Sequence, residues 1–595
     1  DVERSRGLGD VYKRQIMAFG NKNSTPSFAL TLPMKVTKQD EIFLSKKFRI
    51  GCMVYNQMVT KTTKMWHQLR KTREYKNLVK AIKAAPANSD ERKALLVKRS
   101  NLIKQAGFSE GVFHKLVVPY QKAYNVNCDV AQKVASAVWK AWNDFFYGKG
   151  KTVHYKKLDD FVTLSGKKNN CGIFFRPANH TVSSLESAKR KAKNSIEKRY
   201  FDAFRKPDAK EGKEVVLPDE VKAQIEKEIA DATAKIEPYI GDGNLRIIYE
   251  KHEFLVKVRN PDTQTGKYQQ EALKCGVKYC RIVRSWVGTK WKYYAQLILE
   301  GYPPIKCDSN GVAKHPVKEG RIGIDIGTQT IAFCGKDVCD LRVLAPSAIA
   351  EARNGLIKEI ARIMRQMDRS RRAMNPQYFN ENGTIKRLKR KNGHKQIRHW
   401  NYSKNYYRLL HRLRDLNRKL AAVRKTEHYI LANEMLTYGN EFYVEDMNYK
   451  ALQKRSKKTK INPKTGRAYT KKRFGKSIGR CAPALFITIL GQKASRYGGS
   501  VIKVSTFETK ASQFDHTDDS YTKKKLSQRF AKLSNGTVVQ RDMYSAFLLT
   551  HLDESLQGYD KEAIDKDFQQ FMKLHNETKE RLQNSHEWLP ASVGF

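Results

Sequence analysis

The chain has 595 residues, with 114 Lys and Arg against 60 Asp and Glu, a net charge of +54 at pH 7 with His neutral. Hydrophobic residues make up 40% and aromatics 10%, enough to build cores, so wholesale disorder is excluded and the length suggests about three to five structural units. Left uncompensated, this charge destabilises a compact state by self-repulsion, so the expected partner is a polyanion, nucleic acid rather than a membrane surface.

Residues 1–16 (DVERSRGLGDVYKRQI) are charged and lack the apolar stretch of a signal peptide, so they read as a non-native leader, with Met17 as the start of the working protein. Ser27–Val36 alternates Phe28, Leu30, Leu32 and Met34 on one face, which predicts a strand. From Glu41 to about Tyr147 the pattern turns helical, with Trp66, Tyr75, Trp139, Trp142, Phe145 and Phe146 among basic residues. Residues 185–237 read as charged, exposed helices. Then LRIIYE, HEFLVKVRN, KYCRIVRSWVG and WKYYAQLILEG follow as strands, broken by turn-forming NPDTQTG and GTK. Ser27–Val36 is expected to join them in one small β-barrel, with the helical lobe inserted between.

After Gly320, RIGIDIGT and QTIAFCGKD predict a buried β-hairpin. Two long helices come next. One carries Leu356, Ile357, Ile360, Ile363, Met364 and Met367 on a stripe, and the other carries a seam of Leu409, Leu413, Leu416, Leu420 and Val423. A strand (EFYVEDMN), a basic loop, a helix (Ala484–Tyr497), a strand (VIKVST), an irregular segment and a helix opening at Arg541-Asp542 complete an α/β pattern. The expected organisation is α/β multidomain: a leader (1–16), a barrel (17–39 and 240–318), a helical lobe (40–184), a charged helical insertion (185–239), an α/β domain (319–552) and an acidic tail (553–595). Within the α/β domain, residues 347–436 form a basic helical insertion and about 506–541 a lid.

Charge is uneven along the chain. Residues 361–425 hold 20 Lys and Arg against 3 Asp and Glu, and residues 449–480 hold 13 with no acid. A merely solvated surface mixes its signs, so these tracts predict a groove for phosphate backbones. The nine cysteines contain no CxxC pair, which indicates neither a zinc ribbon nor a disulfide framework and leaves a reducing cytoplasm as the default compartment. No apolar run approaches the ~20 residues that span a bilayer, Ala482–Leu490 coming nearest.

Three acids stand out. Asp325 lies in a strand whose other face is Ile322, Ile324 and Ile326, and shares its own face with Gly323 and Gly327. Glu445 ends the strand Phe442–Glu445 and points with Tyr443. Asp542 starts a helix with Met543, Phe547 and Thr550 on the expected buried stripe and Ala546 one turn on. A carboxylate in an apolar strand is costly unless paired or bound to metal. Three arriving from two strands and one helix can converge at a sheet end, where hard oxygens suit Mg²⁺ or Mn²⁺ and two ions can drive phosphodiester hydrolysis. Each acid also has an ordinary reading: a strand-end acid for Asp325, one acid among Glu441 and Asp446 for Glu445, and a helix N-cap for Asp542. GIDIGT is also similar to the first phosphate motif of actin-like ATPases, but no second Asp-x-Gly hairpin follows, and Gly498-Gly499 is the sole late glycine pair.

Taken in order, RIGIDIGT, EFYVEDMNYKAL and VVQRDMYSAFLL resemble the three-part RuvC (RNase H-like) nuclease domain of RNA-guided nucleases, the TnpB-type proteins of transposons and their type V CRISPR descendants. The segment KSIGRCAPALFITILGQKASRYGGSVIKVS is similar to the helix and strand those proteins place before their last motif. RIVRSWVGTKWKYYAQLILEG resembles their wedge-type β-barrel, and FRIGCMVYNQMV their first recognition helix. The resemblance covers most of Met17–Leu549, with residues 317–549 carrying the specific part. It implies that Asp325, Glu445 and Asp542 are the metal-binding catalytic acids and that the barrel holds a guide-RNA scaffold. It further implies that a helical recognition lobe grips the guide–target duplex, with Tyr55, Asn56 and Gln57 as candidates to read a short flanking motif in double-stranded target DNA. Trp286 and Trp291 could stack on nucleic acid or pack the barrel. Most relatives carry a CxxC…CxxC zinc ribbon before the final Asp; here residues 509–542 contain no cysteine, and Asp515, His516, Asp518 and Asp519 are too hard and too close together for zinc. The expectation is a metal-free lid, with Lys523, Lys524, Lys525, Arg529 and Arg541 available to phosphate.

The resulting expectation is an RNA-guided DNA endonuclease, an Mg²⁺-dependent monomeric ribonucleoprotein of a prokaryotic cytoplasm, associated with the nucleoid and not with membrane. Two other functions stay open at this stage: a guided DNA-binding protein that does not cleave, and an RNase H-like transposase.

Overall fold

The computed structural model describes residues 26–594 apart from 87–88, 149, 151, 170, 177–181, 205–216, 235–244, 309, 350–354, 382–383, 387–389, 392–393, 396–397, 455–473, 526, 586–588 and 591–592. The expected leader and Met17, and most of the basic tract 449–480, lie outside the described residues. The chain is a mixed α/β protein with several sheets, and its described residues divide into two compact units, one reaching Ile305 and the other starting at Lys306.

The first unit opens with β1 (Ser27–Pro33) and the long helix α1 (Lys38–Lys71). Thr37 and Asp40 start α1 with reciprocal side-chain-to-backbone bonds of 3.2 and 2.9 Å, which satisfy two of the N–H groups a helix start leaves unpaired. Five helices follow: α2 (Arg73–Ala84), α3 (Asp90–Gln105), α4 (Glu110–Leu116), α5 (Val118–Ala123) and α6 (Cys128–Phe146). The aromatics noted in the sequence form their core, with Trp66 of α1 within 6 Å of Trp142, Phe145 and Phe146 of α6 by ring centroid. Trp142 Nε1 donates to the buried Thr62 hydroxyl at 2.8 Å, so the polar atom of this core is satisfied.

The second half of this unit is a pair of sheets. β2 (Thr163–Ser165) and β3 (Ile173–Arg176) precede the helices α7 (Val182–Phe204) and α8 (Asp219–Ala234). Then come β4 (Arg246–Tyr249), β5 (His252–Leu255), α9 (Gln264–Leu273), β6 (Val277–Val287) and β7 (Lys290–Glu300). One sheet has the order β1-β7-β6-β2 and the other β3-β4-β5. β1 pairs antiparallel with β7 from Ser27↔Glu300 to Pro33↔Tyr294, which joins the first strand to the late ones as the alternation predicted. A bridge between Met34 and Val256 links the two sheets at β1, and β3 lies against β6, so seven strands wrap one core that includes Leu32, Phe175, Ile247, Ile282 and Leu297.

Two expectations need correction in this unit. β2 and β3 fall inside the segment expected to be helical, because each is only three or four residues long and too short to show a period. The stretch NPDTQTG is not merely a turn: Thr263 accepts from Gly266 N at 3.0 Å and caps α9, a role that the same Asn/Asp/Thr composition serves.

The second unit is centred on a five-stranded mixed sheet. β8 (Arg321–Ile326), β9 (Thr330–Gly335) and β10 (Val338–Val343) are antiparallel neighbours, whereas β13 (Glu441–Glu445) and β14 (Ser500–Val504) run parallel to β8, in the order β10-β9-β8-β13-β14. Between β10 and β13 lie α10 (Gly355–Ala373), a small hairpin of β11 (Arg390–Lys391) and β12 (His394–Lys395), and α11 (Lys404–Met435). After β13 come α12 (Tyr449–Leu452), α13 (Gly475–Cys481) and α14 (Pro483–Ala494). Beyond β14 the chain forms two short hairpins, β15 (Phe514–Asp515) with β16 (Ser520–Tyr521) and β17 (Phe530–Lys532) with β18 (Val538–Gln540). It ends in α15 (Arg541–Thr550) and α16 (Lys561–Gln583).

Both faces of the sheet are covered, which is why β8 and β13 read as near-continuous apolar runs. Ile322, Ile324, Phe442 and Val444 pack on one face with residues of α11 and α14, while α15 crosses β8 and β9 on the other. The segment expected to be an acidic tail instead carries α16, whose Ile564, Phe571 and Leu582 are buried in the same core as Met543 and Phe547. α16 itself is neutral, with five acids and five bases, and the excess of acids elsewhere in residues 553–595 masked this stripe. Met364 and Val423, expected on buried stripes, are 56% and 38% exposed, so the α10–α11 seam is narrower than the sequence suggested. Cys334 and Cys339 are cross-strand partners on β9 and β10, with their sulfurs in close approach. No helix among the described residues is long and apolar enough to cross a membrane.

Candidate active site

The three acids meet through strand register and one close helix contact. β13 pairs with β8 as far as Val444↔Ile324, so Glu445 is the next step beside Asp325, and adjacent strands lie about 4.8 Å apart. Tyr443 pairs with Gly323, so alternation puts Glu445 and Asp325 on that pair's face of the sheet. The same face receives α15. A Cβ on Gly323 would stand 2.0 Å from Ala546 O and 2.7 Å from Thr550 N, so glycine is what allows the helix backbone to touch the strand. Thr550 fastens this contact, its hydroxyl accepting from Gly323 N at 3.0 Å and bonding Cys334 O at 3.0 Å.

Asp542 lies one turn before Ala546 and two before Thr550, on the helix stripe that faces β8. Four helical residues rise about 6 Å, close to the span of the two strand residues from Gly323 to Asp325. The helix start thereby brings Asp542 to the neighbourhood of Asp325. Electrostatics agree: burial, then the charges of Asp542 and Glu445, hold the Asp325 carboxyl well above the usual range, while Arg541 and a hydrogen bond with Ser545 pull it down. Part of the Asp325 surface stays open to solvent. Burial also raises Glu445, opposed by bonds from Ala511 and Thr509, the latter at 3.4 Å. Asp542 is not the N-cap that one sequence reading allowed. Gln540 fills that position, its side-chain Oε1 accepting from Met543 N at 2.8 Å, and α15 is buried nearly all round rather than along one stripe because α16 covers its outer side.

Arg541 belongs to the site. Its guanidinium donates to Asp542 Oδ1 at 2.8 and 3.0 Å and to Gln528 O at 3.1 Å. Three hard carboxylates, two of which add to the cost of ionising Asp325, form a donor set suited to divalent cations. As the side chains stand, no group of three or more His, Cys, Asp or Glu among the described residues is arranged to hold a metal ion.

The lid residues are engaged with one another and with their neighbours. Asp515 accepts from Thr517 N and Ser534 N at 3.0 and 2.9 Å, His516 Nδ1 lies 2.6 Å from the Tyr544 hydroxyl, Asp518 accepts from Ser534, and Asp519 pairs with Lys561. Lys523 and Lys525 are exposed and Lys524 is half-buried, burial lowering its ammonium with Arg541 adding to the effect. Arg529 is half-buried, and its carbonyl accepts from Arg541 N at 2.8 Å. In the other unit, Tyr55 is buried, Asn56 bonds both backbone groups of Lys156 at 2.8 and 2.9 Å, and Gln57 donates to the Tyr124 hydroxyl at 2.7 Å. Their polar groups thus serve the helical core. Trp286 and Trp291 are a cross-strand pair at 5.3 Å, with Arg284 over Trp291.

Sequence reasoning passed over two tyrosines. The Tyr449 hydroxyl is buried without a hydrogen-bond partner, and the charges of Asp325 and Asp446 reinforce burial in holding its proton. Tyr559 donates to Thr509 O at 2.8 Å behind Glu445. Tyr449 lies four residues after Glu445 in EDMNYKAL, a proximity visible in the sequence; Tyr559 had no such signal.

No protein-family model and no curated protein matches the chain. Among solved structures, the chain is similar to the Cas12f1–sgRNA–target DNA complex at 11% identity and a TM-score of 0.40, covering 89% of this chain and 99% of that one. It is also similar to a CRISPR-Cas12f ternary complex at 11% identity and a TM-score of 0.22, covering 87% and 82%. Likenesses of this strength assign neither fold nor activity.

Proposed function

We propose that the chain is a divalent-metal-dependent DNA endonuclease with a RuvC (RNase H-like) domain, directed by a guide RNA to double-stranded DNA. The observation that carries the hydrolytic part is the convergence of Asp325 and Glu445 from neighbouring parallel strands with Asp542 from the helix packed over Gly323. The guided part rests on the ordered resemblance to TnpB-type and type V nucleases and on the charge of +54.

Asp325, Glu445 and Asp542 would hold Mg²⁺ or Mn²⁺. Ions bound there supply an activated water and stabilise the leaving oxygen of a phosphodiester. Arg541 neutralises Asp542 until the ions arrive and is then free for phosphate, and Lys523, Lys524, Lys525 and Arg529 supply further cations on the lid. The helical lobe and the wrapped sheets of the other unit are the proposed grip on guide and target.

The test is cleavage of labelled duplex by the chain purified with its bound RNA, in Mg²⁺ and in EDTA. Asp325→Asn, Glu445→Gln and Asp542→Asn should each lower the rate about 10³-fold while RNA binding survives. Undiminished cutting by a variant removes that residue from the site, and cleavage indifferent to RNA removal points instead to a transposase-like activity. A second reading, a guided DNA-binding protein that does not cut, is favoured by the partners each acid already has in Arg541, Thr509 and Ser545. It predicts sequence-specific binding with no product in either condition.

A further inference from the structure

Phe507 is 86% exposed, the highest value among the large hydrophobic residues described. A scattered exposed hydrophobe needs no explanation; its place in the fold sets this one apart. It crowns the turn Ser505–Thr509, which follows β14 and is closed by bonds from Glu508 N and Thr509 N to Ser505 O at 3.1 Å. The foot of the turn is fixed: the Thr509 hydroxyl bonds Glu445 at 3.4 Å, Thr509 O accepts from Tyr559, and Thr509 and Ala511 are fully buried. Two residues span at most about 7 Å, so the turn that carries Phe507 lies at the rim of the acid site and is held by its hydrogen bonds.

A second aromatic and two cations share this rim. Lys510 adopts the left-handed conformation (φ 45°), a strained choice for a residue with a side chain, and its ammonium lies 5.5 Å from the centre of the Tyr521 ring. Tyr521 is 48% exposed and packs on Phe514 at 5.0 Å, which in turn stacks on Tyr559 at 4.5 Å. Lys503 pairs with Asp446 beside Glu445, and one exposed acid, Glu508, lies in the turn.

We infer that Phe507, with Lys510 and Tyr521, is a stacking platform for an unpaired nucleobase of a single DNA strand entering the acid site. Aromatic faces take any base, lysines track the backbone, and a base in a duplex cannot present its face. The platform fixes the strand so that a phosphate beside the stacked base faces the acids. That the strand is DNA rests on the function proposed above; the stacking geometry does not.

The experiment uses the full-length chain in EDTA, so that nothing is cut. A single-stranded DNA carrying 5-iododeoxyuridine is photo-crosslinked and the peptides are mapped, and a second oligonucleotide carrying 2-aminopurine reports stacking by quenching. The expected adduct is on Phe507, in the tryptic peptide VSTFETK (504–510). Phe507→Ala should abolish adduct and quenching and weaken single-strand binding about tenfold, in the range of one base–aromatic stack, with blunt duplex unaffected. Phe507→Trp should restore both signals. Adducts confined to other peptides, or an equal loss on duplex, overturn the inference. Because no step requires cleavage, unimpaired cutting by the three carboxylate variants would defeat the nuclease reading and leave the crosslink standing. Loss of cutting without a Phe507 adduct would defeat the platform alone.

Discussion

Replacing Asp325 with Asn should stabilise the metal-free protein. Asp325 and Glu445 are next in register on strands about 4.8 Å apart, and Asp542 faces them from α15. Two unit charges about 5.5 Å apart repel by about 3 kcal/mol at an effective dielectric of 20. Arg541 offsets one such interaction, and the open edge of Asp325 screens the remainder, leaving about 1–2 kcal/mol, or roughly 2–3 °C in the Tm of this unit. The sign with pH follows from the raised Asp325 carboxyl: the folded chain takes up its proton before the unfolded chain does. The wild type therefore regains stability as pH falls from that raised value towards about 3.9, the ordinary aspartate value. The advantage of Asp325→Asn should be largest above neutrality and shrink in acid. Thermal unfolding in EDTA from pH 8 to pH 5, repeated with Mg²⁺, measures both effects. Magnesium should raise the wild-type Tm more than the variant's. A variant less stable than wild type at pH 8, with an unchanged magnesium shift, would refute the clustering of these charges.

Two further outcomes follow from the same contacts. Gly323→Ala places a methyl group against helix backbone that cannot turn aside, so urea unfolding should show a loss of about 3 kcal/mol, the upper end of ordinary overpacking, with cleavage falling because Asp542 is displaced. A stability within 0.5 kcal/mol of wild type would mean that α15 does not need this contact. Arg541→Gln removes a cation that competes for Asp542, so the Mg²⁺ concentration for half-maximal cleavage should fall about two- to fivefold. A rise would mean that Arg541 helps to assemble the ion site rather than guarding it.

The five strands of the mixed sheet show how legibility varied. β8, β9, β13 and β14 were readable because strands covered on both faces must be apolar throughout, and the three acids were visible as the charges that interrupt this rule or stand at its ends. β10 (VCDLRV) escaped because its buried Asp340 disguises it: the carboxylate pairs with Arg342 and with Arg581 of α16, and neither partner can be located from the sequence. α16 escaped because the acidic excess of residues 553–595, nine acids against five bases, outweighed its stripe. The lid hairpins are held by Asp515, Ser534 and Thr517, a pattern of local side-chain bonds with no periodicity to detect.

By itself the sequence determined that the chain carries a polyanion-sized positive charge, that apolar strands interrupted by carboxylates lie in its C-terminal half, and that Ser27–Val36 is a strand. Only the tertiary structure decided which acids are neighbours, because register and the missing Cβ of Gly323 set the distances from Asp325 to acids 120 and 217 positions further along. It also buried Tyr55, gave Asn56 and Gln57 hydrogen-bond partners in their own unit, and joined Thr509, two residues after Phe507, to Glu445. Burial and hydrogen-bond partners are properties of the packed chain, and no local pattern of residues encodes them.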